Sequence, residues 1–128
     1  MILIVAAVVG AGILIYRNTY TGVVNRGKRA EINGNDTKAE ALYLKAIEKK
    51  GEKKEAYFRL ASLYHDQNKD DDADALLQEA VDSHPDSVGG YQAMVEYYED
   101  TDQTEKIAYL MSTGTNGQIL TELQDYVA

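Results

Sequence analysis

Apolar residues follow three patterns along the chain. Residues 1–16, MILIVAAVVGAGILIY, are apolar apart from two Gly and carry no charge. Farther on, the apolar positions are spaced rather than continuous. In the segment Lys54 to Ser87 they fall at Tyr57, Leu60, Ala61 and Tyr64, then at Ala73, Leu76, Leu77, Ala80 and Val81. Each group has i, i+3, i+4, i+7 spacing, so each predicts one face of an amphipathic helix. The polar stretch Asp66-Gln67-Asn68-Lys69-Asp70-Asp71 separates them and carries turn and N-cap residues. Pro85 closes the second helix. The unit is a helix hairpin of 34 residues. Toward the C-terminus, Thr115-Asn116-Gly117 predicts a turn. Gln118 to Tyr126 then predicts a last helix, with Ile119, Leu120, Leu123 and Val127 on its apolar side.

The hairpin closely resembles the tetratricopeptide repeat. That family's pattern has an aromatic residue at position 4, Leu followed by a small residue at 7 and 8, Tyr at 11, Ala at 20, an apolar residue at 24, Ala at 27 and Pro at 32. Tyr57, Leu60, Ala61, Tyr64, Ala73, Leu77, Ala80 and Pro85 occupy those positions. The small ones let paired helices approach, and the larger ones fill the gaps between adjacent hairpins. One period earlier, residues 20–53 place Gly27, Gly34, Ala39, Tyr43 and Ala46 at positions 8, 15, 20, 24 and 27. Arg26 at position 7 and Gly51 in place of Pro mark this repeat as degenerate. One period later, residues 88–114 place Tyr91, Met94, Tyr98, Asp102, Ile107 and Met111 at positions 4, 7, 11, 15, 20 and 24. Gly114 at position 27 stops the second helix early. The expected class is all-α: an N-terminal transmembrane helix over residues 1–19, a solenoid of about three hairpins, and a capping helix over 115–128.

The apolar run reads first as a membrane anchor. Its helical length of about 24 Å falls short of a ~30 Å hydrocarbon core. Continuing the helix through Arg17 to Tyr20, with Arg17 snorkelling and Tyr16 and Tyr20 at headgroup level, makes up the difference. A cleaved signal peptide and a buried core helix are the alternatives. Ala6 with Gly10, and Ala7 with Ala11, have the spacing that packs two such anchors together, although small residues are common in such runs. An apolar run with no Lys or Arg before it, and an end at Val127-Ala128, suggest a piece of a longer protein.

Charge sharpens this division. The net charge of −8 combines ten Lys/Arg against five Asp/Glu in residues 17–54 with three against sixteen in residues 55–128. The basic part adjoins the apolar run, where it meets anionic lipid favourably. The plainer reading is a set of solvated helix faces. So acidic a chain is a poor ligand for nucleic acid. The absence of Cys removes disulfides, thiolate metal sites and Cys nucleophiles.

No catalytic residue, metal or cofactor is expected. The Asp66 to Asp74 stretch imitates a calcium loop, but Asp71 stands where Gly is needed and Leu77 where a bidentate Glu is needed. Those carboxylates are better read as capping the second helix. His65 and His84, the two histidines, have no Cys or second His beside them. Ser62 near His65 lacks an orienting acid and an oxyanion hole. Asn35-Asp36-Thr37 matches a glycosylation sequon.

The resemblance implies a protein or peptide partner bound in a concave groove lined by the first helix of each hairpin. Carried over, its groove positions hold Glu55, Phe58, Arg59, Ser62, His65 and Asp66, then Gln92, Ala93, Glu96, Glu99 and Asp100. Phe58, Arg59, Ser62, His65, Gln92 and Glu96 are the expected contact residues. Phe58 either lies exposed in the groove or packs on a neighbouring helix. The carboxylate clamp of chaperone-binding members is absent, because Val24, Lys28, Arg59, Gly89 and Ala93 occupy its positions. The architecture resembles bacterial single-anchor proteins whose repeats lie outside the cytoplasmic membrane, some followed by wall- or sugar-associated domains. A membrane-held interaction scaffold is the expected function, and a spacer stalk for a missing C-terminal domain is the alternative. Arg17, Arg26, Lys28 and Arg29 favour the cytoplasmic side. The resemblance favours the outside, which is the expectation.

Overall fold

The computed structural model describes residues 2–113 and 117–127. They form eight helices and, among the described residues, no strand. These are α1 (Ile2–Arg17), α2 (Tyr20–Ile32), α3 (Asp36–Lys49), α4 (Lys54–Asp66), α5 (Asp70–Ser83), α6 (Gly89–Asp100), α7 (Thr104–Thr113) and α8 (Gly117–Val127). Contacts divide them into two units, residues 1–50 and 51–128.

In the first unit α2 packs on α3. Val23, Val24, Gly27 and Ala30 face Ala39, Leu42, Tyr43 and Ala46, all buried. Gly27 is required by close approach: a Cβ there would lie 2.5 Å from Cε1 of the fully buried Tyr43 ring. The Tyr43 hydroxyl donates to Glu31. By contrast α1 buries no residue, and its large apolar side chains are exposed.

The helix does not continue to Tyr20. It ends at Arg17, and α2 leaves at 76°. Neither Gly nor Pro makes this break; capping does. Thr19 adopts an extended backbone, its hydroxyl accepts from the Gly22 amide at 3.1 Å and donates to the Tyr16 carbonyl at 2.6 Å. Asn18 Nδ2 donates to the Leu14 carbonyl at 3.0 Å, and Asn25 donates to the Tyr16 hydroxyl at 2.9 Å. Gly22 lets the two helices touch, since a Cβ there would lie 2.0 Å from the Tyr16 carbonyl oxygen. Among the described residues no single helix is long and apolar enough to cross a membrane. The bent pair α1 and α2 together meets the length and composition.

In the second unit α4 packs against α5 and α6, and α6 against α5, α7 and α8. Ala56, Tyr57, Leu60, Ala61 and Leu63 of α4 meet Ala73, Leu76, Leu77 and Ala80 of α5 in the core. A further cluster joins Tyr91 and Val95 of α6 to Ile107 of α7 and to Ile119 and Leu123 of α8. Tyr126 of α8 packs against this cluster and Leu120 is half-buried, whereas Val127 is 40% exposed.

The three hairpin turns share one backbone. Gly34, Asn68 and Asp102 have φ of 75°, 60° and 56°, at 34-residue intervals. The next amide in each case, of Asn35, Lys69 and Gln103, donates to the carbonyl five residues back, at 2.8, 2.8 and 2.7 Å. A left-handed residue there satisfies carbonyls that the ending helix leaves open, and Gly, Asn and Asp accept that conformation best. The α5 N-terminus departs from expectation. Lys69 is its N-cap and makes no side-chain cap bond, so the Asp cluster supplies first-turn charge rather than a cap.

Candidate partner-binding face

The faces shared by α4 and α6 gather the groups with binding chemistry, and their register is set where the two helices begin. Ser87 Oγ donates to the Glu52 carbonyl at 3.2 Å and accepts from the Gly89 amide at 3.3 Å. A Cβ on Gly89 would lie 1.9 Å from that same carbonyl oxygen, so only Gly permits this approach. From the first turn of α4, Lys54 then reaches across. Its Nζ lies 2.8 Å from Glu96 Oε1, 3.1 Å from the Tyr126 hydroxyl and 5.0 Å from the Tyr126 ring centre. Partial burial pulls the ammonium pKa down. Glu96 and Tyr126 outweigh it and leave Lys54 above the ordinary lysine value. This ties α4, α6 and α8 together at one end of the face.

Phe58 is half-buried and shares a shallow hollow of about 370 Å³ with Glu96, Glu99 and Asp100. The Arg59 guanidinium lies 6.0 Å from the Phe58 ring, and its Nε donates to Glu55 Oε1 at 3.2 Å. That pair is open to solvent and contributes little to stability. Glu99 and Asp100 are exposed and, among the described residues, carry no ion pair. The hollow is therefore an aromatic floor beside two carboxylates, Glu99 and Asp100, that carry no ion pair among the described residues.

Of the groove residues expected from the sequence, Phe58, Arg59 and Glu96 come together here. Gln92 lies half-exposed on α6. Ser62 Oγ is enclosed and finds no hydrogen-bond partner among the described residues. His65 instead serves the α4–α5 turn. Its Nδ1 is 2.5 Å from Asp70 Oδ1, and its ring meets the Tyr97 ring edge-on at 6.1 Å. Of the packing residues, Tyr57, Leu60, Ala61, Ala73, Leu77 and Ala80 are buried, Tyr64 is partly buried, and Pro85 is exposed.

The sequence model of the tetratricopeptide repeat family matches residues 55–87. The chain carries a tetratricopeptide repeat. The repeat comprises nearly all of α4, the left-handed turn at Asn68, and α5. Tetratricopeptide repeats are typically non-catalytic modules that bind proteins. No curated protein and no solved structure matches the chain.

On its other side the repeat borders a larger cavity of about 750 Å³ that sequence patterning does not reveal. It opens between α5, α6 and α7, with Val81, Met94 and Leu110 as apolar wall and Asp74, Asp82 and Lys106 at its margin. Lys106 Nζ is 3.5 Å from Asp74 Oδ2 and 5.3 Å from the Tyr98 ring centre. Burial, then the Asp74 charge, pushes the Tyr98 hydroxyl up. Burial with Asp82 does the same to Tyr91. Its residues are spread over three helices at no fixed sequence spacing, so no motif announces them.

Proposed function

We propose that this protein is an interaction scaffold held at a membrane by α1, which takes a basic, extended segment of a partner protein along the α4–α6 face. One observation carries the partner chemistry. The hollow floored by Phe58 is rimmed by Glu99 and Asp100, two carboxylates that carry no ion pair among the described residues. A Lys or Arg side chain laid over an aromatic ring and met by carboxylates gains both cation–π and charge-assisted contacts. Support for the membrane comes from α1, which is apolar on every side and buries nothing against the protein. Its span of about 24 Å suits a bilayer thinned around it, with Arg17 at the boundary. The likeness to single-anchor repeat proteins supports a reading with the repeats on the outer side of the cytoplasmic membrane.

The test uses the full chain in detergent micelles against an array of extended basic peptides and their acidic counterparts. Selection of the basic set is expected. It should weaken about tenfold in Glu99→Gln/Asp100→Asn and in Phe58→Ala, with helicity unchanged. Equal capture of both sets, or binding indifferent to these substitutions, refutes the face and favours a spacer stalk. Protease accessibility of the repeats in intact cells tests the sidedness.

A further inference from the structure

Where α1 ends, four cations converge. Arg17 of α1, Arg26 and Arg29 of α2 and Lys38 of α3 line one cavity of about 160 Å³, together with Ala30, Asn33 and Asn35. The topology explains the meeting. Arg26 and Arg29 are three apart and share a face of α2. The 76° bend brings the last residue of α1 over that face, and the short turn at Gly34 returns the first turn of α3 beside it. None of the four has an ion pair among the described residues. Glu31, the acid on α2, is bonded to the Tyr43 hydroxyl instead. Four like charges around so small a space repel one another, and among the described residues no carboxylate lines the cavity to offset them. The volume is that of about five waters, too small for a peptide and suited to a compact polyoxyanion. Guanidinium forks match phosphate oxygens bidentately.

We propose that this cavity is a phosphate-binding site, filled by the phosphate of an anionic lipid headgroup. The choice of a lipid rests on the membrane reading above. Arg17 ends the exposed apolar helix, so a bilayer that takes up α1 brings its headgroups to the cavity mouth. Bound there, the phosphate pins the α1–α2 elbow at the interface and neutralises the cluster.

The test is flotation of the full chain with phosphatidylcholine vesicles, with and without phosphatidylglycerol. Wild type is expected to prefer the anionic vesicles. Arg26→Gln/Arg29→Gln should lower that preference about twenty- to thirtyfold, the product of two headgroup-level charges, while binding to neutral vesicles stays unchanged. Lys45→Gln/Lys49→Gln, which removes two exposed charges of α3 outside the cavity, should lower it far less. Full retention in the first variant, or equal loss in the second, overturns the site in favour of diffuse charge. Failure of wild type to float with either vesicle overturns the membrane reading. Titration of inorganic phosphate, followed by NMR of the arginine side chains, then separates the two ideas. Saturable binding there without vesicle preference overturns the lipid as its source, and no binding overturns the cavity as a phosphate site.

Discussion

The adjacent glycines at the start of α6 give a test with its own control. At Gly89 a Cβ would lie 1.9 Å from the Glu52 carbonyl oxygen and 2.9 Å from its carbon, against an ordinary contact of 3.4 Å or more. Both sides of the clash are backbone, so Gly89→Ala must part the starts of α4 and α6 by more than 1 Å. That strains the Ser87 bond to Glu52, worth about 1 kcal/mol, and adds an overpacking cost of about 1–3 kcal/mol. The gain in helix propensity, at most about 1 kcal/mol, is small at a first helical residue. A net loss near 2 kcal/mol corresponds to a fall in Tm of about 8–16 °C for a unit of this size. At Gly90 the nearest atoms lie 3.1 Å away, a few tenths of an ångström too close. Gly90→Ala should offset that crowding by propensity and stay within about 1 kcal/mol of wild type. Thermal unfolding of both variants, followed by far-ultraviolet circular dichroism, reads the difference. A Gly89→Ala protein melting with wild type, or a Gly90→Ala protein melting as far below wild type as Gly89→Ala is expected to, would falsify this account of the α4–α6 register.

Three further outcomes follow from the packing. Gly27→Ala should destabilise the first unit by about 1–3 kcal/mol, because the Tyr43 ring it strikes is fully buried and its hydroxyl is tied to Glu31; urea unfolding measures it. Asn68→Gly should be neutral or stabilising while Asn68→Val costs at least about 1 kcal/mol, since φ is 60° there; equal midpoints for the two would contradict the turn geometry. Alkali should destabilise the second unit. Burial, with Asp70 and Asp74 nearby, pushes the Tyr97 hydroxyl to about 12. The folded state then keeps a proton that the unfolded chain loses near pH 10, so this stability is intact below that pH and falls by about 2–3 kcal/mol as pH rises to 12. Tyr97→Phe should flatten that fall, and an unchanged alkaline slope would remove Tyr97 as its cause.

The helical hairpins are legible in the chain because period and turn chemistry agree. Leu60, Ala61 and Leu77 recur at helical spacing, and the turns carry Gly34, Asn68 and Asp102, residue types that accept a left-handed backbone. The bend after Arg17 is less legible, because Thr19 and Asn18 make it by hydrogen bonds open to any Thr or Asn. The face on α4 and α6 was readable only in part. Family positions lead to Phe58 and Glu96, but the pull of Asp70 on His65 depends on where α5 begins. The cation cavity has no motif either, since Arg17, Arg26 and Lys38 meet through a bend and a turn rather than through spacing.

The recurring left-handed turn has a consequence for how such a chain can be rebuilt. Segments cut at Asn68 and Asp102 begin and end on the same backbone conformation, with the same amide-to-carbonyl closure beside each cut. A duplicate of residues 69–102 spliced in after Asp102 therefore enters and leaves in register, and its Ala73, Leu77 and Ala80 would meet the same kind of neighbour they meet now. The array can be lengthened in whole modules without designing a new joint, and each added module would carry another copy of the acidic α6 surface.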